Sequence, residues 1–195
     1  MADGGDVRLR RCGWCGEDED YVRYHDEEWG VATHDDDALF ERLVLEGMQA
    51  GLSWLTVLKK RARMREQFFS FDMRRLAGAG QPQIEAWLQD AGLIRHRGKL
   101  EAMVGNARIA LTIDGFGEWL WTFAPPLDQL ATYDHQDKIP AVTAESTHMS
   151  KMLKKAGFRF VGPTICYAFM QSVGMVNDHL VDCWRYQHCH RRLAT

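Results

Sequence analysis

Thiols and imidazoles crowd both ends of this chain, and a site drawing on both would tie its termini together. Near the start lie Cys12, Cys15 and His25; near the end lie His179, Cys183, His188, Cys189 and His190. His179 and Cys183 stand four positions apart, so on a helix they share one face, one turn apart. That is a good half-site for tetrahedral zinc. The other half could be Cys12 with Cys15, a familiar two-residue spacing, or Cys12 with His25. Thiolate and imidazole ligands without an open position favour structural over catalytic zinc. The bland alternative is a set of unrelated buried thiols and surface histidines. With Cys166 the cysteines number five, an odd count that argues against a fully paired secreted scaffold.

The rest of the chain reads as helix. Asp35-Asp36-Asp37 supplies an acidic helix start for the apolar stripe Leu39, Phe40, Leu43, Val44. Ser53 can cap a second helix carrying Trp54, Leu55, Val57 and Leu58. Ile84, Trp87 and Leu88 mark a short helix ended by Gly92, and Leu100, Met103, Val104, Ala107 and Leu111 mark the next. Thr147 to Ala156 reads as a helix stopped by Gly157; after a Gly162-Pro163 turn, Ile165, Phe169, Met170 and Val173 line another. Period-2 alternation is missing, for Phe158-Arg159-Phe160-Val161 is too short to count. The stretch from Gly115 to Ser146 carries no readable period. The fold class is all-α.

At 195 residues the chain suits one domain, expected over residues 11–190 behind a loose tail of residues 1–10. No apolar run approaches the ~18 residues of a membrane span, and the Gly- and charge-rich start is no secretory signal, so a cytoplasmic protein without membrane attachment is expected. A net charge of −3 gives no global attraction to nucleic acid; any such surface must be local.

Three further constellations can carry chemistry. The segment from Lys154 to Thr164 joins two helices, with Gly157 and Gly162 bracketing it. Such a turn exposes backbone N–H groups beside a positive helix N-terminus, a phosphate site that Lys151, Lys154, Lys155 and Arg159 could surround. Trp14, Tyr21, Tyr24, Trp29 and Trp54 cluster in the first third of the chain, and Glu46 interrupts the apolar run before it. A carboxylate within aromatic walls suits a flat, cationic heterocycle. Two basic runs, Lys59 to Arg65 and Arg95 to Lys99, could join the hairpin in one nucleic-acid-facing patch. Taken singly, each has an ordinary structural explanation: an interhelical turn, core aromatics, a solvated face.

Together the residues carry a resemblance. Arg11-Cys12-Gly13-Trp14, Tyr24 to Gly30 (YHDEEWG), Leu45 to Trp54 (LEGMQAGLSW), Ile94 to Lys99 (IRHRGK) and Val176-Asn177-Asp178-His179 closely resemble the bacterial 3-methyladenine DNA glycosylase I family, in order, from about Arg11 to Cys183. The resemblance implies a helix-hairpin-helix DNA glycosylase fold, with Gly157, Arg159, Gly162 and Thr164 in the DNA-contacting hairpin. It implies a structural zinc on Cys12, His25, His179 and Cys183, joining the N- and C-terminal segments and choosing His25 over Cys15. It implies a base pocket in which Glu46 accepts hydrogen bonds from the modified adenine, Tyr24 orients it and Trp54 stacks on it. Trp14, Tyr21 and Trp29 stand nearby, and Gly51-Leu52 presses into the gap left in the duplex. The expected reaction is hydrolytic excision of 3-methyladenine from alkylated double-stranded DNA by a monomer, releasing the free base and leaving an abasic site without strand cleavage. Asp178 is not expected to be catalytic. The competing readings are a non-catalytic zinc-stabilised DNA-binding module and a metallohydrolase using His25 with Asp26 or Glu28.

Overall fold

The computed structural model describes residues 9–193, so residues 1–8 of the expected tail, and the side chain of His190, lie outside the described residues. Ten α-helices, joined by short turns and single turns of 3₁₀ helix, make up the fold, and no strand occurs among the described residues. They are α1 (Glu19–Glu27), α2 (Asp36–Gln49), α3 (Trp54–Gln67), α4 (Met73–Ala77), α5 (Gln81–Gln89), α6 (Arg97–Ala110), α7 (Phe116–Trp121), α8 (Ala144–Ala156), α9 (Pro163–Ser172) and α10 (Tyr186–Leu193). None is long and apolar enough to cross a membrane.

Helix α2 is the axis of the molecule. Every residue from Leu39 to Met48 is buried, charged ones included, because α2 packs against α3, α6, α7 and α9 around its girth. Its start follows the sequence: the Asp35 carboxylate accepts the Ala38 N–H at 2.9 Å. Its end is held by a cation from elsewhere. The buried Lys99 ammonium donates to the carbonyls of Met48 and Ala50 at 2.8 and 2.6 Å, satisfying acceptors that the helix terminus leaves open. Ser53 caps α3 as expected, accepting from Thr56 N.

Three element bounds differ from the sequence reading, each for a local reason. Helix α8 begins at Ala144 rather than Thr147, since Thr143 and Ser146 exchange side-chain-to-backbone hydrogen bonds. Helix α5 ends at Gln89, before Gly92: the Asp90 carboxylate accepts the Gly92 N–H at 2.7 Å and turns the chain first. Helix α7 lies in the stretch without a period, being only six residues long, yet its Phe116 ring packs on Phe40 and Phe158.

Two glycines fix how the layers meet. At Gly47 a Cβ would stand 3.2 Å from the Phe160 carbonyl oxygen, so glycine lets the α8–α9 hairpin settle onto α2. At Gly174, just past α9, φ is +76° and a Cβ would meet the backbone of Val31 and Ala32 at 2.7–2.8 Å. Gly174→Ala should therefore destabilise the fold by about 2 kcal/mol or more, lowering Tm by roughly 4 °C or more in a thermal melt followed by circular dichroism.

Candidate active site and metal centre

The two ends of the chain meet. The Arg10 carbonyl accepts the Trp184 N–H at 2.9 Å, and the Arg11 guanidinium and the Trp184 indole both donate to the Asp26 carboxylate. Between them Cys12, His25, His179 and Cys183, all buried, bring one ligand atom each within 4.8 Å of one another. Sulfur–nitrogen separations are 3.4 Å (Cys183 to His25 Nε2), 3.6 Å (Cys183 to His179 Nδ1) and 3.7 Å (Cys12 to His179 Nδ1). Bond lengths of tetrahedral zinc set such edges at about 3.6 Å. The outer ring nitrogens are committed as well: His25 Nδ1 lies 2.7 Å from Asp26 and His179 Nε2 lies 3.1 Å from the Trp29 carbonyl. Both arrangements fix the tautomer that turns the other nitrogen inward. The contact between the two sulfurs draws Cys183 down, and the same contact, with burial, drives Cys12 up.

Cys15 takes no part. Its thiol donates to the Cys12 carbonyl at 3.2 Å. Nor does the carboxylate arrangement of a hydrolytic metal site exist, for Asp26 faces Arg11, and Glu28 pairs with Arg42 and Arg61. The metallohydrolase reading is thereby corrected.

The wall of the cysteine–histidine cluster is also the wall of a cavity. Trp14 and Trp29, whose rings touch at 4.8 Å, lie 5.3 Å and 6.3 Å from the His25 ring respectively, and Trp29 lies 4.6 Å from His179. On their other side opens a cavity of about 290 Å³, bordered by Trp14, Tyr21, Tyr24, Trp29, Glu46 and Trp54, the six residues expected from the sequence. Tyr24 packs on Trp54 at 5.2 Å, and Trp14 on Tyr21 at 5.2 Å. Gln49, Gln136, Ile139, Ala168 and Gln171 complete the lining and were not foreseen; amides and small apolar residues on helices give no sequence signal.

Glu46 is 4% exposed, and burial pushes its carboxyl up to about 8 against the opposing pull of Arg42 and Ser172. Three buried donors on the lining residues, Trp14 Nε1, Tyr24 Oη and Trp54 Nε1, lack a hydrogen-bond partner. Burial holds the Tyr24 hydroxyl well above the usual tyrosine range, so it stays protonated. Unsatisfied buried donors are rare in folded proteins, and three around one carboxyl group point to a polar guest.

The segments expected to meet DNA share the neighbouring face. The hairpin Gly157–Thr164 links α8 to α9 with Gly157 at φ +105° and Phe160 at φ +56°. Asn106 grips it from both sides, donating to the Arg159 carbonyl and accepting its N–H. The N–H groups of Phe160, Val161 and Gly162 donate to nothing among the described residues, and a Cβ at Gly162 would meet open space. Thr164 and the Arg159 side chain are exposed beside them. Gly51, at φ +79°, and the exposed Leu52 form the turn between α2 and α3, bordering a cleft shared with Arg95, His96 and Lys99. The Phe160 ring reaches that side, 6.0 Å from His96. Of the first basic run only Lys60, which donates to the Ala91 carbonyl at 2.7 Å, borders this cleft. Lys59 pairs with Asp18, Arg61 with Glu28 and Glu41, Arg63 with Asp90 and Glu66, and Arg65 with Glu41. Within the second run Arg97 pairs with Glu85 and Lys99 is buried.

A raised acid sets a sign for stability. The unfolded chain releases the Glu46 proton near its ordinary value, the folded one near about 8, so folding weakens as pH climbs between them. Glu46→Gln removes that loss. The variant should match wild type near pH 4 and exceed it in Tm by several degrees at pH 8, a gap that parallel melts across pH will measure.

The methyladenine glycosylase family model matches residues 14–186. DNA-3-methyladenine glycosylase 1 of Escherichia coli (strain K12) is 48% identical over 182 residues, covering 91% of this chain and 97% of that protein. A crystal structure of a 3-methyladenine DNA glycosylase I superposes with a TM-score of 0.86 at 47% identity, covering 90% of this chain and 98% of the other. A structure of the Staphylococcus aureus 3-methyladenine DNA glycosylase I, described for 3-methyladenine recognition, gives 0.84 at 34% identity, covering 91% and 97%. A match spanning the cavity, the hairpin and the cluster residues His25, His179 and Cys183, at this identity, places the chain in the methyladenine glycosylase family.

Proposed function

We propose that this chain extrudes an N3-methylated adenine nucleotide from alkylated double-stranded DNA and hydrolyses its glycosidic bond, releasing 3-methyladenine and leaving an abasic site. The observation that carries the reading is the buried Glu46 carboxyl among aromatic rings and unpartnered donors. Methylation at N3 makes the base cationic, so its bond to deoxyribose is already weak and the base leaves neutral. Recognition is then most of the task. An ionised Glu46 attracts a cation and accepts its hydrogen bonds, whereas unmodified adenine offers no charge to repay the cost of ionising that carboxyl in a dry pocket. Tyr24 orients the base and Trp54 stacks on it, with Trp14, Tyr21 and Trp29 closing the walls.

In this reading the hairpin N–H groups around Gly162, at the start of α9, take a phosphate, with Gly157 shaping the turn, Thr164 in the first turn of α9 and Arg159 adding charge. Gly51 and Leu52 fill the space that the extruded nucleotide leaves. Water completes the sugar. No lysine borders the cavity, which supports a glycosylase without lyase activity. The protein acts as a cytoplasmic monomer, one domain from residue 11 to residue 190.

Zinc fits Cys12, His25, His179 and Cys183 by donor chemistry, by spacing and by the committed outer nitrogens. When bound it takes both sulfurs as thiolates and holds the termini together; the four protein ligands leave it no open position for chemistry. Purified protein should carry one equivalent of zinc by elemental analysis. Cys183→Ser should lose the metal and melt lower, while Cys15→Ser should keep both metal and Tm; equal zinc content in the two variants overturns the ligand assignment.

Base release from methylated duplex DNA, with the product identified by chromatography, tests the activity. Glu46→Gln should slow single-turnover release of 3-methyladenine roughly 10- to 100-fold, the worth of a hydrogen bond to a charged group. Since Glu46 must ionise to meet a cation, kcat/KM should climb with pH to a plateau above about 8, and that rising limb should vanish in Glu46→Gln. A wild-type chain that binds methylated DNA yet frees no base would be a binding module instead.

A further inference from the structure

Gln171, on the last turn of α9, borders the same cavity as Glu46. Its side-chain nitrogen donates to Asp178 Oδ2 at 2.7 Å, and the Tyr167 hydroxyl donates to the same oxygen at 2.6 Å. Asp178 is 3% exposed, so this oxygen is an acceptor shielded from water and shared by two donors. It takes the nitrogen end of the amide and excludes the flipped orientation. The backbone is anchored too, since the Gln171 carbonyl accepts the Gly30 N–H at 3.1 Å. With one N–H held and the amide orientation fixed, Oε1 is the side-chain acceptor that Gln171 has to offer, and nothing among the described residues donates to that atom. The other two amides on the lining, Gln49 and Gln136, have no such anchor, and Gln136 is exposed. The fixed polar inventory is therefore donors on Trp14, Tyr24 and Trp54, and acceptors on Glu46 and Gln171.

We propose that Gln171, oriented by Asp178, is a specificity-determining residue whose Oε1 accepts a hydrogen bond from the exocyclic amino group of the extruded base. The proposal rests on the base-excision reading above. A methylated guanine puts a carbonyl oxygen where adenine has its amino group. That oxygen would face Oε1 with lone pair against lone pair, in a pocket where neither can turn to water. Such mismatches discriminate strongly because they leave buried groups unpaired on both partners. Asp178 is a positioning residue: it touches no substrate and acts by denying Gln171 the opposite amide orientation.

The test is binding of the free bases 3-methyladenine and 3-methylguanine, titrated by quenching of tryptophan fluorescence, in the full-length metal-loaded protein. Gln171→Met keeps the side-chain length and removes the acceptor. It should weaken 3-methyladenine about tenfold and leave 3-methylguanine unchanged or tighter, so that the ratio of the 3-methylguanine Kd to the 3-methyladenine Kd falls about tenfold or more. Asp178→Asn, which lets the amide reverse, should move the ratio the same way, and in the Gln171→Met background it should move it no further. A ratio unchanged in Gln171→Met overturns the proposal, as does an Asp178→Asn effect that survives in that background. Should Gln171→Met fail to fold, the Asp178→Asn ratio alone decides, a fall supporting the proposal and no change overturning it. Wild-type base release from methylated DNA is scored separately: its absence sinks the base-excision reading, whereas release with an unaltered variant ratio sinks only the role of Gln171.

Discussion

A carboxyl group kept almost free of water, with no ion-pair partner of its own, is the costly element that the rest of this structure accommodates. Glu46 sits on a helix buried on every side, so the chain cannot swing it to solvent. The cation nearest in sequence on its face, Arg42, is engaged by Glu28 and lies over the Tyr24 ring. It tempers the burial of Glu46 without neutralising it. A closer pairing would satisfy the carboxylate permanently and leave it nothing to offer a positively charged guest. In the proposed reading, function depends on an unfavourable ground state that the correct ligand relieves.

Rigidity around that group comes from two directions. From the front, Gly47 admits the α8–α9 hairpin against α2, and Asn106 locks the hairpin backbone, so the hairpin and the helix that carries Glu46 are parts of one packed unit. From behind, the cysteine–histidine cluster shares Trp14 and Trp29 with the cavity. The same indoles are core to one site and wall to the other. A cluster that joins residues from the two ends of the chain thereby sets the shape of a recognition pocket built mainly from the first third of the sequence. Loosening the termini would blur the aromatic walls before it unfolded the helices.

Much of this was legible in the residues. The acidic start at Asp35, the Ser53 cap and the Gly157 stop each act through a single side chain or a single backbone angle, and each sits where the sequence put it. The helical class follows from periodicity, and the cavity aromatics came from a recognisable block of sequence. Other features depend on partners distant in the chain. Nothing in the run from Lys59 to Arg65 tells that Asp18, Glu28, Glu41, Glu66 and Asp90 will meet it, and so a surface that reads as cationic is internally balanced. Lys99 likewise reads as one more surface charge but closes a helix end from within. Spacing alone left Cys15 and His25 open and the resemblance chose His25; the fold gives the reason, since only His25 turns its nitrogen toward Cys183. Gln171 stayed invisible, since its meaning comes wholly from the carboxylate behind it.

The internal balancing of those arginines bears on how the molecule travels along nucleic acid. Each phosphate neutralised by a free cation expels condensed counterions, and the number so released sets how steeply affinity falls with added salt. Cations tied to carboxylates of their own chain release few, so any such release falls to those without one among the described residues, Arg95 and Arg159 among them, and not to Arg61, Arg63 or Arg65. The salt dependence of binding to duplex therefore counts the cations that lack an internal carboxylate, a smaller number than the basic residues of the sequence suggest.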